Sequence, residues 1–149
     1  MTHQDTPNGD IVALWIPCRA EYVGVARLAV LGVAGRLDFS YDEVEDLRLA
    51  VGEACTGAIQ RASRVRGETP RVCIECRIES DRVVITIRDS IPNSEHDLHD
   101  GLGASLNHAG ISSLLMDVLV DDATVELDPE GGTMVTLTKI ARHHRDVAE

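Results

Sequence analysis

The 149-residue sequence is short of positive charge: 14 lysines and arginines stand against 25 aspartates and glutamates, a formal charge of −11. That deficit argues against a general nucleic-acid or acidic-membrane partner, which would want a basic face. No apolar run approaches the length of about 18 residues that a membrane helix needs. The N-terminus, MTHQDTPNGD, lacks the charged-then-apolar pattern of a secretory signal. A cytoplasmic protein is expected. There is no internal repeat and no linker, so one domain is expected over 10–140. Residues 1–9 read as a disordered N-terminus and 141–149 as a solvated tail.

The four cysteines also lack a ligand pattern. Cys73-x-x-Cys76 has the spacing of a metal or redox pair, but RVCIECRIES alternates like a strand and sends the two side chains to opposite faces. Cys18 sits beside Pro17 and Cys55 in a helical stripe. All four are read as reduced structural residues. His96, His99 and His108, with Glu95, Asp97 and Asp100, fall in a polar loop with no scaffold to orient them. No metal site is expected there.

What is present centres on Ser40–Arg64. Val44, Leu47, Val51, Ala54, Cys55, Ala58 and Ala62 recur at three- and four-residue steps, one stripe of an amphipathic helix. Ser40 and Glu43 form a capping-box signature at its start. Glu53 lies at the margin of the stripe, either a solvated edge residue or an acid turned into a pocket. Gly57 costs about 1 kcal/mol of helix propensity against alanine, so either a neighbour packs closely there or a larger side chain has been dispensed with.

Before this helix, Ile11–Ile16 reads as a strand and Glu21–Leu37 as a helix. Its apolar surface, with Tyr22, Val25 and Leu28 beside the main stripe, is wider than one face. The second side is either covered within the monomer or meets another chain. After it, Arg71–Ser80 and Val83–Asp89 alternate as an antiparallel hairpin. Asp89 shares the parity of Ile85 and Ile87 and so points toward the helices. Residues 90–104 read as a long loop, 111–119 as a helix, and 120–127 and 133–138 as paired strands. The expected architecture is a two-layer α/β sandwich on a mixed, mostly antiparallel sheet.

In order and spacing, residues 10–140 resemble the bacterial anti-sigma factor serine kinases, members of the histidine-kinase-type (GHKL) ATPase superfamily. The resemblance is carried by IPCRAEYVGVARLAVLGVAGRLDFSYDEVEDLRLAVGEACT, by Arg88–Asp89, by Leu115-Met116-Asp117, and by the closing run Gly132–Lys139. It implies ATP as the cofactor, Glu53 as proton acceptor and Asp89 as the group that reads the adenine amine. The family's magnesium-orienting asparagine falls on Gly57, and the first and second glycines after Asp89 fall on Ile91 and Asn93. The phosphate-cradling glycines fall on Leu106, Asn107 and His108, with Gly101 and Gly103 about five residues early as the alternative phosphate-binding pair.

Each departure weakens a nucleotide grip. A lost oxygen ligand loosens magnesium, Ile91 adds bulk where a flat base wants backbone, and fewer amides converge on phosphate. The resemblance implies an anti-sigma factor that sequesters a sigma factor, is countered by an anti-anti-sigma antagonist, and has weak or lost kinase activity. ATP binding is then expected to be weak and nearly indifferent to magnesium. The alternatives are an active serine kinase phosphorylating that antagonist, and a non-sigma regulatory protein on the same fold. A homodimer is expected, as in the family.

Overall fold

Segments with a two-residue apolar period and segments with a helical period follow one another so that the helices can cover one face of a sheet. The computed structural model describes residues 9–67, 69–92, 113–128 and 131–142. Strand β1 (Asp10–Pro17) leads through a 3-10 turn (Ala20–Tyr22) into helices α1 (Val23–Ala34) and α2 (Tyr41–Ala62). Strands β2 (Arg71–Ile78) and β3 (Arg82–Asp89) form the expected hairpin. Helix α3 (Ser113–Leu119) and strands β4 (Asp122–Leu127) and β5 (Thr133–Ile140) follow. The sheet order is β1-β2-β3-β5-β4, and every pairing among the described strands is antiparallel.

Strand parity builds the core. Ile74, Ile87, Val135 and Val125 lie side by side in register on the inner face, with Cys76, Ile85 and Leu137 in the next row. Against these pack Val23, Ala26, Val30 and Val33 of α1 and Leu47, Ala50, Val51, Ala54 and Ala58 of α2. Cys73 has the opposite parity and pairs with Trp15 and Arg88 on the outer face. The four cysteines are free and buried. Burial pushes the Cys76 thiol up to about 11, with the Glu75 carboxylate adding to it.

Most strand ends differ from the sequence reading by one or two residues, and two boundaries differ for a definite reason. The first helix is shorter than 21–37: its start is a 3-10 turn, and it stops at Ala34, followed by turns. Gly32 and Gly35 lower helix propensity in that last stretch. Strand β1 runs one residue past Ile16 to include Pro17, which an edge strand tolerates because the missing N–H falls at its end.

The wide apolar surface of α1 is left uncovered within the described chain. Val25, Leu28 and Leu31 are 44, 65 and 43 % exposed, and Ile11 and Val12 of the edge strand are 56 and 43 % exposed. Gly24 and Gly32 lie on the same outward side, and a Cβ at either would meet nothing within 4 Å. A cavity of about 590 Å³ runs between β1 and α1, lined in part by Ile11, Val12, Ala29, Val33 and Ile78, with the charged Asp10 and Arg36 also on its wall.

Helix α2 starts where the capping box places it. The Ser40 hydroxyl accepts from the Glu43 N–H at 3.1 Å, and the Ser40 N–H donates to Glu43 Oε1 at 3.0 Å. Burial raises the Glu43 carboxyl, but the Ser40 and Arg142 N–H groups, the Ser40 hydroxyl and the Lys139 charge outweigh it and hold it below its usual range. Packing decides that the helix exists, since a buried leucine such as Leu47 contributes about 1.5–3 kcal/mol. The cap decides its first residue. Ser40→Ala should cost about 1 kcal/mol in urea unfolding. A depressed carboxylate contributes stability above its unfolded pKa and loses it as pH falls through the folded value. The gap between Ser40→Ala and the natural protein should therefore narrow as pH is taken below the carboxylate range.

Candidate functional site

Residues four apart on a helix share a face, so Glu53, Gly57 and Arg61 form one row down α2. Glu53 is half-buried and Gly57 buried. Arg61 stands about 12 Å along the axis from Glu53, at 1.5 Å per residue. The row ends on the sheet: Arg61 Nη2 donates to Asp89 Oδ2 at 2.6 Å, with the two side chains 12 and 2 % exposed.

Asp89 is the last residue of β3, on the inner face as its parity requires, in register with Val72 on one side and Thr133 on the other. Its second oxygen, Oδ1, accepts from the Ile91 N–H at 3.0 Å, and Ile91 is 2 % exposed. Gly132 completes this end of the sheet. With φ at +120° it adopts a conformation that side chains avoid, and a Cβ there would stand 2.6 Å from the Asp89 carbonyl oxygen. A cavity of about 340 Å³ opens at this end of the sheet but on its outer side, lined in part by Arg88, Glu126, Asp128 and Met134 and by no residue of α2.

Cys18 lies close enough to feel both charges. Burial pushes its thiol up to about 11; Asp89 adds to the rise and Arg61 opposes it. Cys55 is pushed up to about 12 by burial and then by Cys18, with Arg27 opposing. Thiols so disfavoured as thiolates are poor nucleophiles, so both belong to the packing of the site.

A second polar cluster pins the other end of α2. Lys139, 5 % exposed, has the inner parity of Val135 and Leu137. Its Nζ donates to the Leu119 carbonyl at the end of α3 at 2.7 Å and lies 3.6 Å from Asp46 Oδ2 on α2. A cation on the last carbonyls of a helix is favourable. One ammonium thus ties β5, α2 and α3 together.

The structure therefore puts Glu53 on the same helix row as Arg61, and Arg61 in turn on Asp89 at the end of β3. Gly101, Gly103, Leu106, Asn107, His108 and the 94–100 histidine and acid cluster lie outside the described residues. Among the described residues no three of His, Cys, Asp and Glu group as metal ligands would. Arg61 and Lys139 were not singled out from the sequence. The helical step from Glu53 through Gly57, and the strand parity shared with Leu137, were the signals for them.

Residues 16–139 match the histidine kinase-like ATPase domain model. The chain belongs to that family. Within the family of histidine kinase-like ATPases it groups with serine-protein kinases of the RsbW type. It is 34 % identical over 145 residues to the serine-protein kinase RsbW of Bacillus licheniformis, covering 91 % of this chain and 89 % of that protein. It is 33 % identical over 147 residues to RsbW of Bacillus subtilis strain 168, covering 93 and 90 %. The crystal structure of the RsbU and RsbW domains of a Mycobacterium tuberculosis protein superposes with a TM-score of 0.64 at 14 % identity. That likeness covers 88 % of this chain and 32 % of the longer one, and it bears on the fold alone.

The ATPase family implies a nucleotide, whose base would need a polar partner. A buried carboxylate suits an amine donor in kind, and Asp89 is such a group. Gly57 offers no oxygen to an ion. The pair that holds Asp89 is itself costly to break. Removing one partner of a buried ion pair costs about 3–5 kcal/mol, because the other charge is left uncompensated. Asp89→Ala and Arg61→Ala should each lower stability by that order in urea unfolding. The double variant should lose clearly less than the sum. Additive losses would mean that the pair contributes nothing as a pair.

Proposed function

We propose that the protein is an anti-sigma serine kinase: it binds a bacterial sigma factor in the cytoplasm and uses ATP to phosphorylate a serine of its anti-anti-sigma antagonist. The observation that carries this reading is the near end-to-end relation to proteins named as serine-protein kinases, and a half-buried glutamate, Glu53, lies on α2. The relatives favour this active reading over the reading of lost activity.

ATP supplies the phosphoryl group. Glu53 takes the proton of the serine hydroxyl as the new O–P bond forms and ADP departs. Asp89 accepts from the adenine amine, and Gly101 and Gly103 are proposed for the phosphates. A reading with weakened turnover keeps specific support in Gly57, which supplies no magnesium ligand, and in Ile91, a buried branched residue beside Asp89. Positioning and charge neutralisation carry most of phosphoryl transfer, so those two positions bear directly on rate.

Radiolabelled phosphate transfer to a cognate antagonist protein separates the two. The kinase reading expects transfer by the natural protein and a loss of about 10²–10⁴-fold in Glu53→Gln. Sigma-factor binding should survive that change. Transfer absent from the natural protein, or unchanged in Glu53→Gln, would sink the kinase reading.

The partner set includes a second copy of the chain. Support comes from the edge of β1, unpaired among the described residues, the outward Val25, Leu28 and Leu31, and the glycines beside them that leave room for a close neighbour. No direct nucleic-acid contact and no membrane are proposed, in keeping with a charge of −11. Among the described residues no helix is long and apolar enough to cross a membrane. Sedimentation at micromolar concentration should give the dimer mass. A clean monomer would reject the pairing.

A further inference from the structure

We propose that Arg61 is a built-in competitor for the nucleotide base: its guanidinium sits on Asp89, and the base is accepted only when it leaves. The proposal rests on the reading of Asp89 as the acceptor for the adenine amine.

The geometry is the ground for it. Both oxygens of Asp89 are engaged, Oδ2 by Arg61 Nη2 at 2.6 Å and Oδ1 by the Ile91 N–H at 3.0 Å, and the side chain is 2 % exposed. A charge-assisted hydrogen bond is roughly twice as strong as a neutral one. A neutral amine therefore does not displace the guanidinium by hydrogen bonding alone. The binding-competent form is the fraction of molecules in which Arg61 is elsewhere, and apparent affinity falls by that fraction.

Arg61 has somewhere to go. It lies in the last turn of α2, next to exposed Gln60, Ser63 and Arg64. A long cationic side chain keeps its stem on apolar surface while its head moves to water. At a helix C-terminus the positive charge stays favourable when it swings out. Helical side chains lean toward the residue four positions earlier, which here is Gly57. Position 57 has no side chain, so nothing of that residue's own stands between Arg61 and β3.

The experiment is calorimetric titration of the full chain with ATP and with inosine triphosphate, whose base carries an oxygen in place of the amine. The proteins are the natural chain, Arg61→Gln, Arg61→Lys, Asp89→Asn and the Arg61→Gln/Asp89→Asn pair. Arg61→Gln should bind ATP at least about tenfold tighter than the natural protein, with a smaller gain for inosine triphosphate. Arg61→Lys, which keeps the charge without the planar fork, should fall between them. Asp89→Asn should remove the preference for ATP in both backgrounds. Thermal midpoints check folding; if Arg61→Gln does not fold, the Arg61→Lys comparison carries the test. ATP affinity equal to or weaker than natural in the Arg61 variants, with Asp89→Asn still erasing the preference, overturns the competitor alone. No effect of Asp89→Asn on either nucleotide overturns the base-reading role and the competitor with it. Equal gains for both nucleotides would mean that Arg61 acts only on packing, which also overturns the proposal.

Discussion

Helix α2 can lie close to the sheet because the side it buries is built from small residues. Ala50, Ala54, Gly57 and Ala58 put little between the helix backbone and the strands, and helix separation follows the size of the side chains at the contact. Every residue of the candidate site on this helix depends on that approach. Glu53 is half-buried on this helix. Arg61 reaches Asp89, 28 positions away in the chain, because the last turn of α2 passes over the end of β3. At the opposite end the Lys139 ammonium fixes the same helix through Asp46. The helix is held at both ends by charge and along its length by packing, so its row of residues has one place relative to the sheet.

Much of this was legible in the sequence, for definite physical reasons. The Ser40–Glu43 box encodes a boundary because two hydrogen bonds must close across four residues, and the structure closes both. The inward orientation of Asp89 followed from counting by twos from Ile85 and Ile87, since strand parity is set by covalent geometry. The outward parity of Cys73 followed the same way, and its register with Trp15 and Arg88 bears it out. The end of α1 was less legible, because two glycines lower propensity without saying which turn gives way.

The partner of Asp89 was the least legible feature. A single arginine at the end of an amphipathic helix has the look of a solvated residue, and only the three-dimensional approach of α2 to β3 assigns it a carboxylate. Lys139 was hidden differently. Its strand alternates cleanly through Thr133, Val135 and Leu137, and a lysine in the fourth place reads as the strand leaving the core. The end of α3 supplies the carbonyl that makes its burial affordable, and α3 is distant in that strand's own pattern. Both cases are buried charges whose partners come from another element, which a one-dimensional period cannot report.

The two rims of the sheet are chemically unlike. The rim at β1 shows Ile11, Val12 and Trp15 to the outside, whereas the rim at β4 carries exposed Asp122 and Glu126. A second copy added antiparallel along β1 would join two five-stranded sheets into one of ten strands, with β4 at both extremities. Edge strands bearing charge resist further pairing, and a two-fold contact uses up the same surface on both molecules. Growth would halt after one addition, and the chain would be protected from filament formation by the placement of two acids on its far rim.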